Sequence, residues 1–169
     1  MAFQVTPETD VSEAAMFHGA RVELSSNFSL SGGFNTVEFD EVVFDTDGFW
    51  DAANYEFVIP EGVALVRAGT TLTVNDSVAI EVKARVRTGG VASHAIVLDQ
   101  SVNVTQLNLN IDTGPIPVSA GDGIFVDIRY QHTPTSCAVI ASAGATPTAF
   151  WIEVLKTPIG YPESPTLPA

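Results

Sequence analysis

The residues with the most capacity for chemistry are the acids between positions 40 and 51. Asp40, Glu41, Asp45, Asp47 and Asp51 fall in one short stretch. Within it, Asp45-Thr46-Asp47-Gly48 sets two carboxylates two residues apart and follows them with glycine. Calcium loops open this way, because a hard cation takes oxygen ligands from alternate residues and glycine permits the sharp turn between them. The later ligand positions of a helix–loop–helix calcium motif are missing, and Phe49 and Trp50 stand in their place. Asp45, Asp47 and Asp51 are therefore the candidates for holding Ca2+, while the expectation for the stretch is a solvated turn and a protein with no resident cofactor or metal.

Other reactive residues are scattered. His18, His94 and His132 are far apart, and none has a second ligand beside it. Cys137 is the single cysteine, so no intrachain disulfide and no Cys-based zinc site can form; within an apolar stretch it reads as a buried, inert thiol. No Gly-x-Ser-x-Gly elbow and no glycine-rich phosphate loop occurs, and nothing favours a pair of glycosidase carboxylates. The expectation is a protein that is not an enzyme, with no catalytic residues. Asn27, Asn75 and Asn103 open Asn-x-Ser/Thr triplets, which read as accidental without a secretory signal. Lys83, Arg85 and Arg87 alternate along one segment and make up three of only seven basic residues. Such a stripe serves either cross-strand pairing with acids or contact with the acidic surface of a copy or a partner, and both readings stay open.

Charge excludes more than it assigns. Asp and Glu number 20 against 7 Lys and Arg, a net charge of −13. A field of that sign repels phosphate backbones, so nucleic acid is not an expected partner. No apolar run approaches the length that crosses a bilayer, so no membrane association is expected. The first ten residues have neither a basic region nor an apolar core, unlike a signal peptide.

The elements that must position these residues are strands. Val, Ile, Thr and Phe are frequent from about residue 20 to residue 155, punctuated by Gly, Asn, Asp and Pro. Residues 77–87 alternate most cleanly, with Val78, Ile80, Val82, Ala84 and Val86 on one face and Glu81, Lys83, Arg85 and Arg87 on the other. Ile124, Val126, Ile128 and Tyr130 share another face, as do Leu107, Leu109 and Ile111. Further strands are expected at 20–26, 54–59, 62–67, 93–98, 137–142 and 150–155. Turns are expected at Ser31-Gly32-Gly33, Asp47-Gly48, Ala68-Gly69, Asn75-Asp76, Gly89-Gly90, Gly114-Pro115, Gly121-Asp122-Gly123 and Gly144. About eight to ten strands with this turn spacing give an all-β antiparallel sandwich or barrel. Residues 7–17 hold the single weak helical pattern. Three parts follow: an N-terminal arm at 1–19, a β-sandwich at 20–156, and an extended C-terminal arm at 157–169. Four prolines forbid regular structure in that last segment, and Ile159, Tyr161 and Leu167 offer it apolar anchors on a neighbouring subunit.

Over residues 20–156 the chain resembles a C1q/TNF-like jelly roll. The resemblance rests on Val43-Phe44-Asp45, Phe49-Trp50-Asp51, Tyr55-Glu56-Phe57 and Pro60-Glu61-Gly62 in that order. It continues with the Ala120-Gly121-Asp122 turn before residues 124–130 and the closing Phe150–Leu155 segment. Val63, Ala64 and Leu65 replace the aromatic pair that usually follows the Pro-x-Gly turn, and no collagen-like stem precedes the domain. The resemblance accordingly implies a bacterial or viral use of the fold rather than a complement or cytokine role. It implies a homotrimer, with Phe125, Tyr130 and Trp151 as candidates for the interface on the three-fold axis. It also implies a bacteriophage virion protein on the outer capsid surface, a decoration or cement protein whose partner is the major capsid protein or another virion protein. The alternative is a fibre or tail tip that binds a receptor glycan in a groove lined by Trp50, Tyr55 or Trp151.

Overall fold

The computed structural model describes residues 18–31, 33–75, 81–89, 91–99, 107–131, 138–143 and 146–156. Its described residues contain fifteen strands and no helix. One sheet holds β1 (Gly19–Glu23), β2 (Phe28–Ser29), β4 (Glu41–Asp45), β7 (Leu65–Asn75), β10 (Leu107–Pro117), β12 (Ala138–Ile140) and β15 (Ala149–Lys156). The other holds β3 (Gly33–Thr36), β5 (Trp50–Asp51), β6 (Glu56–Val58), β8 (Glu81–Thr88), β9 (Val91–Asp99) and β11 (Gly123–Gln131). The two-residue strands β13 (Ser142–Ala143) and β14 (Thr146–Pro147) pair separately. Every pairing is antiparallel. In the first sheet β7 is central: it pairs β10 on one edge, and β15 and then β12 on the other. In the second, β11 pairs β8 on one edge, and β6 and β3 on the other. This is a jelly-roll β-sandwich.

The alternation read from the sequence sets which side chains fill it. Ala84 and Val86 on β8, and Ile124, Val126 and Ile128 on β11, are fully buried, while Arg85, Arg87 and Phe125 between them face outward. Leu109 and Ile111 are likewise inside. Aromatics join the two layers. Phe57 of the second sheet and Phe150 of the first lie 4.4 Å apart between ring centroids, and Phe39 packs 5.7 Å from Phe150 on the other side. Phe49 completes this core, fully buried.

Two expected turns are not turns. Ala68-Gly69 lies in the middle of β7, where Gly69 pairs with Trp151 on one side and Asp112 on the other. Glycine is there for space rather than for bending: a Cβ on Gly69 would stand 2.7 Å from the Ile111 carbonyl oxygen and closer still to the Trp151 ring. Gly114-Pro115 lies inside β10, where the register shifts between Asp112 and Pro115. Gly114 takes φ +61°, which glycine adopts without cost, and its N–H donates to Asp112 Oδ1 at 2.9 Å. The proline is tolerated because β10 is an edge strand at a bulge, where no ladder donor is lost. β7 also runs to Asn75, well past the expected end at residue 67. The weak helical pattern, residues 1–17 of the expected N-terminal arm, the C-terminal arm beyond residue 156 (with Ile159, Tyr161 and Leu167), His132, Cys137 and Gly144 lie outside the described residues. Lys83, His94 and Tyr130 are described through their backbone alone.

Candidate functional site

The acidic stretch folds as a tight turn between β4 and β5, and backbone donors occupy its central carboxylate. Asp45 Oδ1 accepts from the N–H groups of Gly48 and Phe49 at 2.9 Å each, and Oδ2 accepts from that of Trp50 at 2.9 Å. This is the chemistry by which Asp stabilises a turn. Asp47 turns to its other side, where His18 Nδ1 lies 3.0 Å away and the Thr46 hydroxyl 2.7 Å away. Partial burial opposes ionisation of Asp47, but the bonds from Thr46 and His18 outweigh it and hold its pKa below the usual carboxylate range. Asp51 accepts from Ala53 N–H at 2.9 Å and Asn54 Nδ2 at 2.7 Å, which lowers its pKa as well. The three candidate ligands thus point into three separate hydrogen-bond sets, and among the described residues no group of three His, Cys, Asp or Glu side chains converges on one point. Asp45→Ala leaves four N–H groups without their acceptor, those of Asp47, Gly48, Phe49 and Trp50, the last two half-buried. The expected loss is about 1–2 kcal/mol of stability, read from the urea midpoint at unchanged slope.

His18 and Asp47 also border a shallow cleft with Pro60, Glu61, Gly62, Val63 and Val154. A His–Asp pair orients a base in hydrolases; among the described residues, those that line this cleft include no hydroxyl or thiol side chain. The three aromatics considered for a sugar groove are not brought together. Trp50 sits on β5 in the second sheet, edge-on to Phe57 at 5.3 Å. Trp151 faces outward from the first sheet, between the inward Phe150 and Ile152. Tyr55, at φ +55°, borders a different depression with Phe28, Glu38 and Asp40.

The basic stripe is built as its alternation requires, and it has a partner that the sequence reading missed. Asp127 on β11 stands opposite Arg85 on β8. It faces outward yet is only 4% exposed, because arginine covers it. Its Oδ2 accepts from Arg85 Nη2 at 2.5 Å and Arg87 Nη1 at 3.2 Å. The Arg85 guanidinium also lies over the Phe34 ring, 3.4 Å from its centroid, and Arg87 lies 5.5 Å from that of Phe125. Asp127→Asn keeps the shape and removes the charge that neutralises two guanidinium groups. The expected loss is about 2 kcal/mol, short of the ~3–5 kcal/mol of a fully buried pair because both arginines are partly wet; thermal unfolding at neutral pH checks it. The signal for Asp127 was present, since it is the only acid in 124–130, but register is needed to place it.

The two interface candidates whose side chains are described, Phe125 and Trp151, occupy opposite outer faces of the sandwich. Trp151 shares its cross-strand row with Arg21 and Phe44, and Arg67, joined to Asp112, lies 5.7 Å from its ring. Sequence reasoning missed the apolar surface on this side. Val42 is 48% exposed, Val43 50% and Phe44 37%, all on β4, the edge of the first sheet; Leu155 on β15 is 40% exposed. Three consecutive apolar residues with no alternation were the available sign of a strand that is partly exposed on both faces.

No family model and no curated protein matches the sequence. Solved structures are. The globular domain of zebrafish complement 1qA protein superposes with a TM-score of 0.57 at 10% identity, covering 83% of this chain and 98% of that one. Murine APRIL, in its pH 5.0 structure, superposes with a TM-score of 0.58 at 14% identity, covering 83% of this chain and all of that one. The fold is therefore a C1q/TNF-like jelly roll, the class that the order of short motifs implied.

Proposed function

We propose that this chain is a non-catalytic structural module that associates with itself as a homotrimer and decorates the outer surface of a viral capsid. The observation that carries this reading is β4. An edge strand offers unpaired backbone groups to any other strand, and proteins normally blunt such edges with charge, proline or a covering element. Here Val42 and Val43 are about half exposed on that edge, which fits a surface that a neighbouring subunit covers. Glu41 and Asp45 at its two ends favour a defined contact over indiscriminate aggregation. The resemblance to C1q/TNF-like domains supports three as the number of subunits, and the acidic charge with a proline-rich 157–169 segment supports attachment to a lattice through an arm. The capsid arm of the proposal is tested by co-sedimentation with shells assembled from the major capsid protein encoded in the same genome. Saturable binding that is lost when residues 157–169 are deleted is expected, and a full-length chain left in the supernatant at every concentration would overturn it.

A further inference from the structure

The outer face of the second sheet is where the charge of the chain inverts. Cross-strand register sets Phe34, Arg129, Lys83 and Val97 in one row and Thr36, Asp127, Arg85 and Ala95 in the next. Phe125 stands opposite Arg87, which stands opposite Ala92. Four of the seven basic residues of a chain with net charge −13 therefore share these rows with one carboxylate, and the row beyond Arg129 and Lys83 sets Glu81 opposite Gln131 and Asp99. In these rows the facing positions on β9 are Ala and Val, so Asp127 is the one carboxylate directly across from the stripe. Asp127 occupies Arg85 and Arg87, whereas Arg129 has no carboxylate partner among the described residues. Arg129 sits 5.7 Å from the Phe34 ring, and that ring is 42% exposed. The Arg85 Nε–H is buried without an acceptor.

We propose that this face binds a carboxylate-bearing sugar, with the carboxylate on Arg129 and the carbon face of the ring against the part of Phe34 that Arg85 leaves exposed. The planar guanidinium fork matches a carboxylate in two parallel hydrogen bonds, and the face already holds one carboxylate, that of Asp127, between two arginines. An exposed aromatic ring beside an available guanidinium provides for a ligand that is apolar on one side and anionic on the other, which a free inorganic anion is not. The size of the basic area selects as well. Acids dominate the remaining surface, so a long polyphosphate would run into a repelling field, while one or a few acidic sugar residues fit within the rows. The site is complete in one chain and stands or falls separately from trimer formation.

The test is calorimetric titration of the full chain with trigalacturonic acid, its methyl ester and neutral galactotriose, alongside native mass measurement. Saturable binding of the acid alone is expected, weakened at least about tenfold by Arg129→Gln, as removal of a charge-assisted contact implies. Phe34→Ser should weaken it too, and Arg129→Lys should retain part of it. The proposal is overturned by no saturation up to about 10 mM, by equal binding of the ester, by equal competition from inorganic sulfate, or by unchanged affinity in a folded Arg129→Gln variant. It is also overturned if Arg129→Gln changes the mass of the assembly and the acid does not bind, since the face would then be a contact between copies.

Discussion

Phe150→Ala is expected to cost about 3–5 kcal/mol, the range for emptying an aromatic site in a packed core, and so to remove much or all of the net stability of a domain this size. The reason is position as much as volume. Phe150 belongs to β15 of the first sheet but makes its ring contacts with Phe57 of the second sheet and with Phe39, at 4.4 and 5.7 Å. All three rings are fully or almost fully buried. Removing the middle ring opens a cavity between the layers that neither neighbour can fill, because each is held by its own strand or by the backbone around it. Phe150→Leu keeps most of the volume and is expected to cost about 1–1.5 kcal/mol. Urea denaturation of the two variants measures both, and a Phe150→Ala loss no larger than that of Phe150→Leu would show that the layers are not joined there.

Gly69→Val is expected to be comparably severe, at about 3 kcal/mol or more, by the opposite mechanism of overpacking. Gly69 is central in β7, with a partner strand on each side. A side chain there meets the Trp151 ring and the Ile111 carbonyl oxygen together. The ring can move outward toward solvent, but the carbonyl belongs to β10 and cannot move without breaking its pairing. Gly69→Ala combined with Trp151→Ala is therefore expected to recover part of the loss of Gly69→Ala alone, about 1 kcal/mol of coupling, and to leave the rest. Full recovery in that double-mutant cycle would show that the tryptophan alone demands the glycine.

These two positions show how far the sequence could be read. Period-two alternation placed the inward faces of β8 and β11 and the apolar half of β10, since one buried face per sheet leaves a direct mark on residue order. Phe150 was legible as part of a closing strand, whereas its role between the layers was not, because contact across a sandwich has no fixed spacing in sequence. Glycine misled at Gly69 and Gly114. The residue type signals an unusual requirement without saying whether it is a turn, a bulge or a close approach, and here the answers were close approach and bulge. The acidic stretch allowed both a turn and a ligand set, with the turn expected, because Asp serves turns and cations with the same oxygens; only the direction of each carboxylate separates the two uses. The basic stripe was visible, but Asp127, Arg129 and Phe34 joined it through register with β11 and β3. The half-exposed edge at Val42 and Val43 was not legible, since apolar residues are assigned to a core until a structure gives their exposure.

The self-association proposed for this edge is tested most directly by sedimentation equilibrium of the full chain over a hundredfold range of concentration at neutral pH. The expected result is a species of three times the chain mass that persists on dilution and falls to one chain in a folded Val43→Asp variant. A full-length chain that sediments as a monomer throughout, or a trimer indifferent to Val43→Asp, would contradict it.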